Sequence, residues 1–347
     1  MRGRFSRIHA HFNLRIPPFM KTIRWGIIGP GSIARKFAQD IRVVPGCSLE
    51  SVAGRDARRA GAFANANGLP RHHASVRELA EDAGIDAVYI ATPHTGHFES
   101  AKLMVAQGKA VLVEKPFTVN SREAVELIQA ATDAGVFLME ALWTRFLPVY
   151  EDIQQWLADG AIGRVRMVSA AFCVRGNQDA SLRWLNPALA GGALLDLGVY
   201  CLAMQRFAVG AAPLSSCATA VFAPSGVDEL LSASVSYPGG VLGQFSCGFA
   251  AHGDTSMTIA GESGTIRVPV SFFAARTASL VVGGESRTIE RPFLAGGFEY
   301  QIAEACRCLR AGLLESPRMP LAETLETMNA MDSMRRAIGL VYPGEVL

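Results

Sequence analysis

The chain reads as an α/β protein: a doubly wound parallel sheet of the Rossmann type, followed by an α+β domain on a large, mainly antiparallel open sheet. Three observations predict this. A G-x-G-x-x-A turn, Gly29-Pro30-Gly31-Ser32-Ile33-Ala34, lies between an apolar strand pattern and a helical one. From Lys21 to Glu140, short apolar runs alternate with helical patterns, as strands joined by crossover helices do. After Trp143, strand-like runs follow one another across tight turns, the grammar of an antiparallel sheet. At 347 residues two domains suit the chain better than one core. They are placed at residues 21–141 and 142–347, after an extension of residues 1–20.

In the first domain, residues 23–28 are expected as a strand and 32–43 as a helix. Residues 49–53 form the second strand and 56–65 the second helix. Strands at 87–91 and 110–113 flank a helix at 98–107, and a helix at 121–134 leads to a last strand at 136–139. In the second domain a helix spans 148–158 and an alternating strand 163–174. A glycine-rich helix covers 194–207. Strands at 232–237, 241–247, 256–260, 265–268, 279–282 and 286–289 follow, joined by Pro-Gly-Gly, Gly-Glu-Ser-Gly and Gly-Gly-Glu turns. Amphipathic helices at 299–311 and 321–338 close the chain.

Composition narrows the function. Thirty-three basic against 31 acidic residues leave a net charge of +2, which is no footprint for nucleic acid or an anionic membrane. A small molecule in a pocket is the expected partner. The seven cysteines make no CxxC pair and no zinc ladder, so reduced thiols in a cytoplasmic protein and no metal are expected. The long uncharged stretch between Arg206 and Asp228 is broken by Gly210, Pro213 and Pro224 and reads as loop and strand, with no segment spanning a membrane. Arg2, Arg4, Arg7 and Arg15 precede any acidic residue, and no apolar run of signal length follows. With Met20-Lys21 immediately before the first strand, a misplaced translation start or a disordered extension is the expectation, with a targeting peptide as the other option.

The glycine turn carries the first chemistry. Gly29 permits the tight turn, Gly31 lets a pyrophosphate approach the backbone, and Ala34 allows close helix–strand packing; Ser32 and Ile33 open the helix whose N-terminus stabilises phosphate. A site for NAD usually offers an acidic side chain at the end of the second strand, for the ribose 2′-hydroxyl. This chain has Gly54-Arg55-Asp56, then Arg58 and Arg59. Arginines in a first helical turn oppose the macrodipole unless an anion lies between them, and a 2′-phosphate is such an anion. Asp56 then serves as the helix N-cap. NADP is favoured over NAD; a solvated basic face is the other reading.

Glu114-Lys115-Pro116 stands at the carboxyl end of a strand, where open α/β sheets place ligands. Poor solvation and a facing nicotinamide charge are expected to lower the Lys115 pKa and suit it to proton handling. Thr92, His94 and His97 follow another strand end and suit cofactor or substrate contact; their H-x-x-H spacing lacks a third metal ligand. In Gly191-Gly192-Ala193-Leu194-Leu195-Asp196-Leu197-Gly198-Val199-Tyr200, Asp196 and Tyr200 are four apart and share one helical face.

With these motifs the chain resembles the Gfo/Idh/MocA oxidoreductase family from about Lys21 onward. Tyr200 stands where much of that family has a histidine. This departure is similar to a smaller branch containing glucose–fructose oxidoreductase, dimeric dihydrodiol dehydrogenase and the NADP-linked xylose dehydrogenases. The segments Phe137–Phe146, Ser225–Asp228 and Arg335–Gly339 point to the same branch, with the dihydrodiol enzyme the nearest in likeness. The resemblance implies an NADP-dependent dehydrogenase of a cyclic polyol, an aldose such as xylose or glucose, or a trans-dihydrodiol. It implies catalytic roles for Lys115, Tyr200 and Asp196, with Glu114 beside the cofactor and Trp143 and Phe172 lining the substrate pocket. It also implies a homodimer through the second sheet. A cofactor-sensing binding protein and an NAD-dependent glycosidase on the same scaffold are the alternatives.

Overall fold

The computed structural model describes residues 21–177, 179 and 182–345; the expected extension of residues 1–20 lies outside them. The first domain runs β1 (Ile23–Ile28), α1 (Ser32–Asp40), β2 (Cys47–Ala53), α2 (Ala57–Asn67), β3 (Arg71–His73), α3 (Val76–Glu81), β4 (Ala87–Ile90), α4 (His97–Ala106), β5 (Ala110–Glu114), α5 (Ser121–Ala134) and β6 (Leu138–Ala141). The six strands are parallel, in the order β3-β2-β1-β4-β5-β6. Strands β4, β5 and β6 are buried along their whole length, as a sheet covered on both faces requires. Strand order reverses between β1 and β4, so the crevice for a ligand opens at their carboxyl ends.

The second domain runs α6 (Pro148–Ala158), β7 (Val165–Cys173), a π-helical turn (Leu194–Gly198), α7 (Val199–Val209), β8 (Ser215–Phe222), β9 (Asp228–Tyr237), β10 (Val241–Gly248), β11 (Met257–Gly261), β12 (Gly264–Val268), β13 (Thr277–Val282), β14 (Glu285–Glu290), α8 (Glu299–Arg310) and α9 (Leu321–Ile338). Its eight strands lie in the order β14-β13-β12-β11-β7-β10-β9-β8. Strands β7 and β10 pair in parallel, and the other neighbours are antiparallel. Helices α7 and α9 lie against one face. The opposite face is polar and open, with Ser169, Cys217, Thr219, Ser234 and Gln244 around a shallow concavity of about 570 Å³.

The two halves are riveted by the segments that carried the family resemblance. Arg335, 1% exposed, donates to Val119 O at 3.0 Å, and Asp332 accepts from Ser121 N at 2.8 Å. Thr324 donates to buried Glu140 at 3.0 Å, and Arg145 pairs with Glu323 at 2.9 Å. Arg335 and Glu140, from two of these segments, thus hold α9 against the first domain.

Several expectations change. The first helix ends at Asp40 and finishes as a 3-10 turn, Ile41–Val43. Strand β3 and helix α3 occupy a stretch left unassigned, because three and six residues are too short to show a period. Strand β8 supplies the strand part of the stretch between Arg206 and Asp228. The helix at 194–207 is a π turn joined to α7. The segment Pro187–Val209 is long and apolar enough to cross a membrane, but 83% of its most apolar stretch is buried inside the protein, so it is a core element.

Candidate active site

A cleft of about 810 Å³ opens at the switch point. At the end of β1, Gly29 has φ +97°, and a Cβ there would lie 2.7 Å from Ala91 O, so only glycine fits the turn. Around Gly31 a Cβ would meet nothing within 4 Å, which leaves room over the backbone. Gly31 also precedes α1 without a side-chain cap, so the first N–H groups of that helix remain free for an anion. Ser32 and Ile33 face the cleft, and Ala34 is fully buried beneath it. This cradle fits a dinucleotide pyrophosphate.

At the end of β2, Asp56 caps α2 by accepting from Arg58 N at 2.9 Å and Arg59 N at 3.2 Å. Its Oδ1 is thereby committed to the helix, while the residue still lines the cleft. Arg55 and Arg59 reach the cleft, whereas Arg58 does not line it.

The cleft floor is a set of charges from both halves. Lys115, at the end of β5, donates from Nζ to Asp196 Oδ1 at 2.8 Å and to Asp196 O at 2.8 Å. The same nitrogen lies 5.0 Å from the centre of the Tyr200 ring. Arg183 Nη2 donates to Asp196 Oδ2 at 2.9 Å. Burial alone would raise the Asp196 pKa, but Lys115, His94 and Arg183 outweigh it and hold the carboxylate well below its usual range. Burial would likewise lower Lys115, yet the pull of Asp196 and Tyr200 wins and the lysine is raised. This corrects the expectation of a depressed lysine, which lacked the contact with Asp196. Burial also pushes the Tyr200 phenol up to about 12, against the downward pull of Lys115.

Asp196 and Tyr200 hold their places because Asp228 caps the turn before them. Asp228 Oδ2 accepts from Leu194 N at 2.6 Å, and burial pushes its pKa up to about 7. Gly192, φ +119°, passes so close to Asp228 that no Cβ would fit.

Other expected contacts turn out to brace the site. Glu114 takes a hydrogen bond from Tyr89 OH and another from Lys115 N at 3.2 Å; it is 5% exposed and burial raises it to about 7. The carboxyl thus anchors β5 to β4. His97 is fully buried, its ring nitrogens 2.8 Å from Pro116 O and 3.0 Å from Thr92 O. Burial pushes it down to about 3, so the neutral ring donates to one of these carbonyls and ties the Lys115 turn to the end of β4. His94 donates from Nδ1 to Ala190 O at 2.8 Å, and its Nε2 accepts from Arg183 Nη1 at 3.0 Å. Both histidines still border the cleft, as does Thr92.

Trp143 and Phe172, expected to line a substrate pocket, are buried beside Tyr200 and are not among the residues lining the cleft; Trp143 Nε1 donates to Tyr200 OH at 3.2 Å. Phe172 stacks on Phe273 at 4.3 Å and lies 5.6 Å from the Tyr200 ring. Phe293 and Phe298 close on Trp143 at 6.4 and 5.1 Å. Arg183, Phe273 and Phe293 were not singled out from the sequence. Each comes from an irregular segment without a motif, and only their distance from any strand or helix period set them apart.

Comparison with known proteins agrees with this architecture. The model of an oxidoreductase family with an NAD-binding Rossmann fold matches residues 23–142, and that of the GFO/IDH/MocA C-terminal domain matches residues 150–267. The trans-1,2-dihydrobenzene-1,2-diol dehydrogenase of Sus scrofa is 35% identical over 334 residues, covering 92% of this chain and 98% of that one. The enzyme of the same name from Homo sapiens is 33% identical over 332 residues, with the same coverage. Among solved structures, a 3-ketoreductase from Actinomadura kijaniata with NADP and TDP-benzene superposes at a TM-score of 0.83 with 24% identity, over 92% of this chain and 98% of its own. An aldose–aldose oxidoreductase from Caulobacter crescentus gives 0.83 with 21% identity, over 91% and 97%. With both domains matched in order, and relatives aligned over nearly their full length, the chain belongs to the Gfo/Idh/MocA oxidoreductase family.

Proposed function

We propose that the protein is an NADP-dependent dehydrogenase acting on a hydroxyl of a cyclic polyol, with trans-dihydrodiols placed ahead of aldoses. One observation carries the reading: Lys115, at a strand end in a dinucleotide cleft, is gripped by Asp196 and stands over Tyr200. Arg55 and Arg59 at the cleft rim, with Asp56 between them capping α2 through Oδ1, favour the 2′-phosphate of NADP. When bound, the nicotinamide supplies the hydride carrier and, oxidised, a positive charge. At neutral pH the site holds Asp196 ionised, Lys115 charged and Tyr200 protonated, an arrangement set to donate a proton from Tyr200 to a carbonyl oxygen. In the oxidising direction Tyr200 accepts the substrate proton once added positive charge brings the phenol down. Trp143, Phe172, Phe273 and Phe293 form an aromatic cluster beside Tyr200, behind the residues that line the cleft. The relatives named for a dihydrodiol set the order of candidates.

We also propose a homodimer through the open face of the second sheet, and a cytoplasmic protein in keeping with its free thiols. The test mixes the protein with NADP and a panel of cyclic trans-diols, aldoses and inositols, following absorbance of the reduced nicotinamide. Reduction with a diol or aldose is expected. No signal with any of them would replace the enzyme by a cofactor sensor, and sugar release from glycosides without net reduction would replace it by a glycosidase.

A further inference from the structure

We propose that Lys36, on the helix at the pyrophosphate cradle, is a positioning residue for the reaction: it acts through the Trp143 indole on the Tyr200 hydroxyl. The inference rests on the dehydrogenase reading given above.

Lys36 lies on α1, yet its side chain serves the second domain. Its Nζ donates to Asp40 Oδ2 at 2.8 Å and to Gly296 O, in the loop between β14 and α8. The same nitrogen stands 5.2 Å from the centre of the Trp143 ring and 4.6 Å from that of Phe298. Asp40, 3% exposed, also accepts from Phe298 N at 2.9 Å, so the pair clamps the loop to α1. Buried Glu299 shapes the same loop, accepting from Ala295 N at 2.8 Å and from Gly297 N at 2.6 Å. The loop sits tightly on these groups. A Cβ on Gly296 would collide with Lys36 and Asp40, and one on Gly297, φ +103°, would lie 2.5 Å from Trp143 Cζ3.

An ordinary pair four residues apart on a helix is solvated and contributes little. Here the carboxylate is buried, and the ammonium stands within cation–π range of an indole. Trp143 is itself buried and does not line the cleft, and its Nε1 donates to Tyr200 OH at 3.2 Å. A cation over the ring draws electron density from it, so the N–H at the ring edge becomes a stronger donor. A stronger donor favours the phenolate, the form in which Tyr200 takes the substrate proton during oxidation.

The groups that face the phenol divide into two sets. Burial pushes it up, and Glu114 of β5 and Asp196 of the π turn add to this; Lys115 and the hydrogen bond from Trp143 draw it down. Tyr89 of β4 gives its hydroxyl proton to Glu114. Lys36 adds a second cation to the set that draws the phenol down, and Asp40 offsets part of its charge.

The test compares Lys36→Gln, which keeps a donor for Gly296 O without the charge, with Lys36→Arg, which keeps the charge. Both are made in the full chain and again in Trp143→Phe, and oxidation of xylose and of a cyclic trans-diol by NADP is followed. Lys36→Gln should lower kcat by about three- to fivefold, with KM and the dissociation constant for NADP within about twofold, and Lys36→Arg should restore most of the loss. In Trp143→Phe, which lacks the hydrogen bond to Tyr200, Lys36→Gln should have no further effect. A loss of equal size in both backgrounds would make Lys36 only a brace of the loop and overturn the proposal, as would parental kcat in Lys36→Gln. Should Trp143→Phe misfold, the pH profile of kcat decides. Its rising limb should move up by about half a unit in Lys36→Gln and stay in place in Lys36→Arg, and an unmoved limb in Lys36→Gln overturns the proposal. Turnover by the parent with neither substrate class counts against the dehydrogenase reading and takes this proposal with it.

Discussion

The two walls of the cleft are built on opposite plans. The first is backbone: a glycine turn, a helix N-terminus without a cap, and a capped α2 that sets two arginines at the rim, within residues 29–59. The second is side chain: Lys115, Arg183, Asp196 and Tyr200 meet from distant stretches, and each charge is stable only because another compensates it. A dinucleotide can be held by geometry that one short segment encodes. Acid–base chemistry needs perturbed groups, and perturbation needs neighbours that only the assembled fold supplies.

This contrast predicts unequal losses. Lys115→Ala and Tyr200→Phe should each lower kcat at least about a hundredfold, the scale of acid–base assistance, while leaving the dissociation constant for NADP within about threefold. Steady-state kinetics and a fluorescence titration measure both. Near-normal turnover in either variant removes that residue from the mechanism, and loss of NADP binding would mean that the two walls are not separable.

A change in the first wall should do the reverse. Arg55→Ala with Arg59→Ala is expected to weaken NADP binding by about tenfold or more, the loss of a charge-assisted contact to phosphate. Binding of NAD, which has no 2′-phosphate, should shift by less than about twofold. If the parent binds NAD more tightly than NADP, the reading of this rim is wrong.

The same contrast explains what could be read from the sequence. Gly29, Gly31 and Asp56 announce themselves because turn, cradle and cap are local demands on a few consecutive residues. Lys115, Asp196 and Tyr200 were legible as positions and by resemblance, but their protonation was not. The downward pull expected for Lys115 reverses once Asp196 is found 2.8 Å away. Arg183 was invisible because it sits in a 3-10 turn with no pattern, although it completes the charge balance of Asp196. Glu114 and His97, expected at the cofactor, line the cleft, yet their polar atoms are spent on Tyr89 and on backbone carbonyls.

The smallest predicted effect lies behind both walls, where Glu140 joins β6 to α9. Burial pushes its carboxyl up to about 7, and its hydrogen bond from Thr324 only partly offsets this. A carboxyl raised above its unfolded value binds its proton more tightly in the folded state. Its contribution to stability is therefore complete below about pH 4 and is lost as pH rises through about 7. Glu140→Gln keeps the shape and removes the titration. Between pH 6 and 8.5 the Tm of the parent should fall further than that of the variant, by about 1–2 °C, the change that about 1 kcal/mol makes in a chain of this size. Parallel Tm curves would mean that Glu140 titrates like an exposed carboxylate, and that the seam between the domains is open to water.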